Sequence, residues 1–571
     1  MMKQTLLLSV ARGDTPADLL LRGGRVVNVF TGEIAEEDVA LSGPYIAGLG
    51  PGYKAASVID LDGRFLLPGF IDAHVHIESS LVGPHEFARA VVPRGTTTVV
   101  SDPHEIANVH GLDGIRFMLD ASEGLPLTVL VMASSCVPAT HMGTAGAALE
   151  ARELASLLDH PRVIGLAEVM NFPGVIHGDP GIQEKLAAFH GHPVDGHAPG
   201  VTGKELNAYV AGGPWSDHEC TTPQEALEKL RRGMTVFFRE ATNARNLLGL
   251  LPALTPDNRR RVALCTDDRQ PADLLEVGGI DAMVRTVMEE GTPPVDAIRM
   301  ATLNTAEHFR LRDRGGIAPG RRADLLVVED LTRLTISSVF TGGKAVAHSG
   351  EALPWNLPKG PPPPPPSMQV DWTSMDLRIP AREGKARVIQ AVRDQLVTGA
   401  VELVPPTEDG YVVSDPGRDL LKIVVIERHT GSGRVGKGLV AGLGLREGAI
   451  AGTVAHDHHN LIAIGVDDDS ILAAAKAVAT MGGGLAAASR NIVLESLPLP
   501  LGGLMSDQPI ETVRNQLERL LAAARKLGTP LHDPFMTMAF LALEVIPSLK
   551  ITDQGLVDVH RFETVDFWVR P

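Results

Sequence analysis

Six ionisable side chains in this 571-residue sequence have the types and spacing to bind divalent metal. His74 and His76 close an apolar run as DAHVH. On a strand, residues i and i+2 share a face, so the two imidazoles converge on one point. Neutral imidazole is a standard ligand for divalent transition metals. One His-x-His pair fits core or surface histidines equally well. Four later runs end in the same manner: Glu168 closes GLAEVM, His197 closes VDGHA, His218 closes SDHE and Asp267 closes ALCTDD. A purely structural strand would favour Val or Ile there, because a charged group is costly to bury unless paired or metal-bound. Five strands that each end on such a residue point to a shared metal site.

Four histidines and two carboxylates exceed the needs of one tetrahedral ion. They suit two divalent ions sharing a bridging carboxylate and a bridging water, whose pKa two Lewis acids lower to give hydroxide near neutral pH. Asp267 would then act as both ligand and proton shuttle. Asp268 should point away on a regular strand, in a supporting or structural role.

These residues must be positioned by strands. Eight apolar, β-rich runs end in polar residues and are followed by helical stretches such as PQEALEKLRRG: 65–76, 96–105, 127–138, 163–171, 193–198, 215–219, 234–240 and 261–269. That alternation predicts an α/β fold, a (β/α)₈ TIM-like barrel over residues 69–316, with a doubly wound open sheet as the alternative. In such barrels the C-terminal strand ends carry the chemistry. Short alternating segments at 1–68 and 317–352 predict a small split β-sandwich domain built from two chain segments. Six consecutive prolines mark 353–367 as a stiff linker. Residues 368–571 then read as a C-terminal α+β domain, with a β-branched run at 421–427, another at 460–466, and helices near 470–480 and 511–527.

Weaker candidates surround the six. Glu78 continues the i+2 series and faces the same cavity if the extended chain persists; otherwise it caps a helix or supports a ligand. Asp102, His104 and Glu105 close the second strand as SDPHE and are candidates for substrate contact or acid–base work. Arg239 and Glu240 offer a donor and an acceptor to a purine edge, or form a salt bridge at the rim. His456, Asp457, His459 and Asn460 lie where a second domain could fold over the barrel mouth, or in a solvated loop. Cys136 has no nearby His in sequence and reads as a small apolar residue at a strand end. Gly431–Lys437, GSGRVGK, fits a phosphate loop only superficially: Gly438 stands where the magnesium-binding hydroxyl belongs, and the glycine-rich segment beyond cannot form the required helix.

Composition sets bounds. With 44% hydrophobic and 21% charged residues the chain is ordinary globular protein. A net charge of −17 argues against polynucleotide partners. Three cysteines cannot make a disulfide framework. No apolar stretch is long enough to span a bilayer and no export signal is read at the N-terminus, so a cytoplasmic protein without membrane partners is expected. The expected assembly is a homodimer.

The first 350 residues resemble the amidohydrolase superfamily, with its barrel, divided β domain and His-x-His on strand one. More narrowly, the chain resembles the bacterial adenine deaminases, through PGFIDAHVHIESSLVGPHEFARAVVPRGTTTVVSDPHEIANVHG, ASSCVPAT, GLAEVMNFPGV, DGHAPGVTGKELNAYVAGGPWSDHE, CTDDR and AIRMATLNTAEHF. Past the prolines the likeness continues in AHDHHNLIAIG, LPLPLGGLMSD and DPFMTMAFLALEVIPSLKITDQGLVDV. The resemblance implies His74, His76, His197, His218 and Asp267 as terminal ligands, with Glu168 as the bridge. Many superfamily members bridge with a carbamylated lysine on strand four, but no lysine lies between Arg162 and Gln183. It further implies two divalent ions per chain, manganese first, with iron or zinc as the alternatives. The implied reaction is hydrolysis of adenine to hypoxanthine and ammonia in purine salvage, with Asp267, Glu168, Glu78 and Glu105 as the catalytic carboxylates. The chain departs from the family pattern at Arg239-Glu240-Ala241-Thr242, where Arg-Glu-Gly-Ser is expected, and at His458, where serine is expected.

Residue chemistry alone reaches a binuclear metal hydrolase. A cyclic amidohydrolase that opens hydantoin or dihydroorotate rings fits the same ligands. A non-catalytic scaffold relative would have lost them.

Overall fold

The computed structural model describes residues 2–393 and 395–569. Eight parallel strands form the barrel: Phe70–Val75, Thr96–Ser101, Thr128–Ala133, Val163–Val169, Val194–Gly196, Ser216–Asp217, Thr235–Arg239 and Val262–Cys265. Strands one to five pair in one sheet and six to eight in another. Two seams close the ring. Trp215 N–H donates to Val194 O at 3.3 Å, and Asp267 N–H donates to His74 O at 3.0 Å. Asp72 reinforces the second seam by accepting from the Thr266 backbone N–H (3.1 Å) and hydroxyl (2.5 Å).

These strands are apolar on both faces because helices cover the outside while side chains fill the inside. Ala73, Val100, Met132, Ala167, Phe237, Ala263 and Cys265 form one buried interior cluster. Fully burying a large apolar side chain contributes roughly 1.5–3 kcal/mol. Helix Pro223–Arg231 shows the local logic of the outer ring: Thr222 caps it by accepting the Glu225 N–H, and proline opens its first turn.

The run 65–76 is not one strand. Phe65–Pro68 pairs antiparallel with Leu325–Val328 in a nine-stranded sheet drawn from both chain segments, and Phe70–Val75 opens the barrel. Gly69 makes the transition; a Cβ there would lie 2.2 Å from the Thr97 hydroxyl. The proline segment contains neither helix nor strand. Beyond it an eight-stranded sheet carries helices Asp468–Thr480 and Ile510–Lys526. GSGRVGK runs into strand Val435–Ala441, a hairpin partner of Leu420–Ile426, so no helix follows it. Among the described residues no helix is long and apolar enough to cross a membrane.

This C-terminal domain sits over the barrel mouth. Thr140 donates to Glu544 (2.7 Å), Thr144 to Asp553 (2.7 Å) and Gln270 to Asp533 (2.8 Å).

Candidate metal centre and substrate cavity

The barrel brings the six strand-end residues together, all buried. Glu168 lies at their middle. Its Oε1 faces His76 Nε2 (3.3 Å) and His74 Nε2 (3.6 Å), and its Oε2 faces His197 Nδ1 (2.6 Å) and His218 Nε2 (3.3 Å). Asp267 Oδ1 lies 3.2 Å from His76 Nε2 and 3.8 Å from His74 Nε2. The two Nε2 atoms of His74 and His76 are 3.0 Å apart. His76 donates its Nδ1–H to the Asp102 carbonyl at 2.9 Å, so its Nε2 presents a lone pair. His197 Nε2 is buried without a hydrogen-bond partner.

Nitrogen lone pairs and carboxylate oxygens therefore converge in two halves, His74–His76–Asp267 and His197–His218, joined by one carboxylate. The donor set fits divalent metal of the kind that takes nitrogen and oxygen ligands. Electrostatics agree. Burial would raise the Glu168 carboxyl, but His197, His218 and His74 hold it well below the usual range. Burial likewise opposes Asp267, and Arg239 with His76 and His218 holds it low. Burial and His104 disfavour charge on His76, yet Asp267 and Glu168 raise its pKa well above normal; against burial, Glu168 and Asp267 push His218 up to about 9. Carboxylates that favour cationic imidazoles equally favour a bound cation.

Asp267 occupies left-handed backbone, φ +55°, one residue after Thr266 is pinned by Asp72. Alternation is broken there, which corrects the expected direction of Asp268. It lines the cavity beside His76, Glu168, His197, His218 and Asp267, accepts the Ser79 hydroxyl at 2.5 Å, and is raised in pKa by burial and by Asp267.

The second-strand group divides. His104 and Glu105 line the cavity. Asp102 sits behind, its Oδ2 3.1 Å from His104 Nδ1 and its Oδ1 accepting from Ser134 at 2.7 Å, so it orients His104 and is not itself a lining residue. Glu78 does not extend the strand: the extended run stops at Val75, and a 3₁₀ turn spans Ile77–Ser80. Its Oε1 accepts the Ile106 N–H at 3.3 Å, in the first turn of helix His104–Ala121, which is the capping alternative. Burial and Glu105 push its carboxyl up to about 7.

The C-terminal domain supplies His456 and Asp457 to the same cavity. His456 Nδ1–H donates to Glu105 Oε1 at 2.8 Å, and its ring stacks on Phe540, centroids 4.7 Å apart. Burial opposes the charge on His456, but Glu105 pushes it up to about 9. His459 also pairs with Glu105, which His456, His459 and His104 hold well below the usual carboxylate range despite burial.

Arg239 forms a buried ion pair at the cavity wall. It binds Glu219 and donates to Asp267 Oδ2 at 2.7 Å, on the side away from the histidines. Glu240, past the end of its strand, turns out of the cavity and accepts the Leu247 N–H at 3.2 Å. Thr242 spends its hydroxyl on Asp273 (2.6 Å) and on the Gln270 N–H (2.9 Å), while Ala241 is not in left-handed backbone. The loop therefore keeps its geometry without glycine. Cys136 is buried beside the Glu168 carbonyl, its thiol pushed up to about 12 by burial.

Sequence reasoning missed Glu219 and the apolar wall of Met170, Leu396, Phe540, Leu543 and Ile546. Alternation assigns Glu219 the face opposite His218, but the sixth strand ends at Asp217 and the rule lapses. The apolar wall has the pattern of ordinary core. Beyond Leu396 and Ile546 lies a wider pocket of ≈ 570 Å³, lined also by Thr221, Asn243, Arg245 and His532.

Comparison with known proteins places both parts of the chain. Residues 65–346 match the amidohydrolase family, and residues 395–563 match the adenine deaminase C-terminal domain. The adenine deaminase of Desulfatibacillum aliphaticivorans is 54% identical over 564 residues, 98% of this chain and 99% of that protein. Adenine deaminase 2 of Carboxydothermus hydrogenoformans is 49% identical over 561 residues, 98% of each chain. The adenine deaminase of Methanothrix thermoacetophila is 46% identical over 566 residues, 99% of each.

Proposed function

We infer the division of labour in this site from the premise that the chain belongs to the adenine deaminase family of amidohydrolases and hydrolyses adenine to hypoxanthine and ammonia. His74, His76 and Asp267 would hold one divalent ion and His197 and His218 a second, with Glu168 between them. The observation that supports this is the position of Glu168, whose Oε1 faces His74 and His76, with His104 also at 3.6 Å, and whose Oε2 faces His197 and His218. When bound, such ions supply Lewis acidity that makes water nucleophilic at neutral pH.

The protein's own residues do the rest. Asp267, ionised beside Arg239, takes a proton from the attacking water and returns it to the departing amino nitrogen, so that adenine and water leave as hypoxanthine and ammonia. Against burial, Asp102 and Glu105 favour the cationic form of His104, and Glu105 that of His456, which gives the purine ring nitrogens a proton donor as charge builds during attack at C6. Met170, Leu543 and Ile546 offer an apolar slot to the flat ring, and the covering domain excludes bulk water. Manganese is the metal we favour, with iron or zinc as alternatives the same ligands accept. Purine salvage in the cytoplasm is the setting that accords with the reaction.

The test is ammonia release and absorbance change for manganese-loaded protein given adenine, adenosine and dihydroorotate separately. Ammonia should come from adenine, with no ring opening of dihydroorotate. Turnover of dihydroorotate in place of adenine would restore the cyclic-amide reading.

A further inference from the structure

Between the fifth and sixth barrel strands lies a buried charge cluster that the chemistry above does not use. Lys229, on helix Pro223–Arg231, has a fully buried side chain. Its Nζ donates to Ala198 O (2.7 Å), Asp217 Oδ2 (2.8 Å) and Glu225 Oε1 (2.8 Å). An ammonium has three hydrogens, so all are spent.

The acceptors share a location. Ala198 follows His197, and Asp217 precedes His218. Asp217 Oδ1 accepts the Ala198 N–H at 2.8 Å, and Oδ2 accepts the Glu219 N–H at 3.1 Å. Glu225 accepts the Gly200 N–H at 2.9 Å and the Thr221 N–H at 3.2 Å. Both polar groups of Ala198, and the residues on either side of His218, are thus tied to one ammonium and its two carboxylates. The sheet offers little alternative support here. The fifth and sixth strands have 3 and 2 residues, against 6 in each of the first three. A satisfied buried network of this kind fixes geometry that a short ladder cannot.

We propose that Lys229 is a positioning residue for the His197–His218 half of the metal centre. It holds His197 Nδ1 and His218 Nε2 on one oxygen of Glu168 through the backbone of the two loops. None of its three hydrogen bonds reaches the loop that carries His74 and His76, or Asp267. The proposal rests on the reading that these histidines bind metal.

The experiment is manganese titration of metal-free full-length Lys229→Met and His197→Ala beside the unaltered protein, with bound metal quantified after dialysis and folding checked by far-UV circular dichroism. Lys229→Met should keep one ion at near-native affinity and bind the second at least ~10-fold more weakly, the scale of losing support behind a ligand. Excess manganese should restore kcat with KM for adenine unchanged. A folded Lys229→Met that binds both ions as the unaltered protein does overturns the proposal. If Lys229→Met does not fold, Glu225→Gln replaces it: a several-fold loss confined to the second ion is expected, and native affinity for both contradicts the proposal. His197→Ala separates the two levels, because two tightly held ions in that variant would refute the metal reading itself.

Discussion

Two histidine clusters face the cavity, one from the barrel and one from the covering domain, and they differ in how their nitrogens are spent. In the barrel, four imidazoles, the first strand's His-x-His pair and one from each of two later strand ends, crowd the two oxygens of Glu168. In the covering domain, two imidazoles share Glu105, which comes from the barrel, and a third faces Glu544. His456 and His459 bind Glu105, with His459 Nδ1 also accepting the Ala455 N–H at 3.2 Å. His458 lies with Nδ1 3.4 Å from Glu544 Oε1 and Nε2 3.3 Å from the Thr140 carbonyl. The same residue type thus does two jobs. Glu168 gathers imidazoles that all belong to the barrel, whereas Glu105, itself a barrel residue, pairs with imidazoles of the covering domain and so fastens one domain to the other.

Removing the central carboxylate of each cluster should therefore have unlike consequences. Glu168→Gln should lose bound metal and lower turnover by more than about 100-fold, since it strips charge from both halves of the donor set. Metal analysis beside ammonia release measures this, and native metal content with normal turnover would assign Glu168 a structural role. Asp267→Asn should lose at least ~100-fold in turnover while keeping much of its metal, because the amide can still offer an oxygen but cannot carry the proton. Comparable turnover with metal bound would move the shuttle to another residue.

Glu105→Gln tests the covering cluster. It should leave metal content unchanged and lower both turnover and thermal stability, the latter because breaking a buried ion pair typically costs ~3–5 kcal/mol. Loss of metal in this variant would erase the distinction between the clusters.

The smallest effect concerns His458, where serine was expected. Burial opposes its charge, but Glu544 pushes it up to about 9. A folded-state pKa above the unfolded value of ~6.5 stabilises fully below that value and is lost as pH rises through the folded pKa. The stability advantage of the unaltered protein over His458→Ser should therefore shrink by on the order of 3 kcal/mol between pH 6 and pH 10. Urea unfolding at the two pH values gives the difference. An advantage that grows with pH would reverse the assignment.

The six strand-end residues of the candidate site were legible because strand ends in a barrel announce themselves by charge at the close of an apolar run, as at Glu168 and Asp267. Period-two reasoning failed wherever the strand stopped early. It offered Glu78 the series beside a capping role, and the 3₁₀ turn leaves the capping role; it turned Asp268 away although Asp267 has positive φ; and it gives no hint of Glu219, which lies beyond the end of its strand. The 65–76 run joined two sheets because nothing in its hydrophobicity marks the break at Gly69. Lys229 was invisible for a different reason: in PQEALEKLRRG it looks like one more charge on a solvated helix face. Only the fold shows Asp217 and Ala198 waiting beneath it. Phe540 and Ile546 likewise differ from core residues only by what they face.

The most direct test of the two-half, Glu168-centred site is manganese titration of the metal-free protein, with adenine deamination followed at each step. The account predicts that activity rises until about two equivalents are bound and then levels off, as a paired-ion site requires. Full deaminase activity at a single equivalent, or in protein stripped of metal, would contradict it.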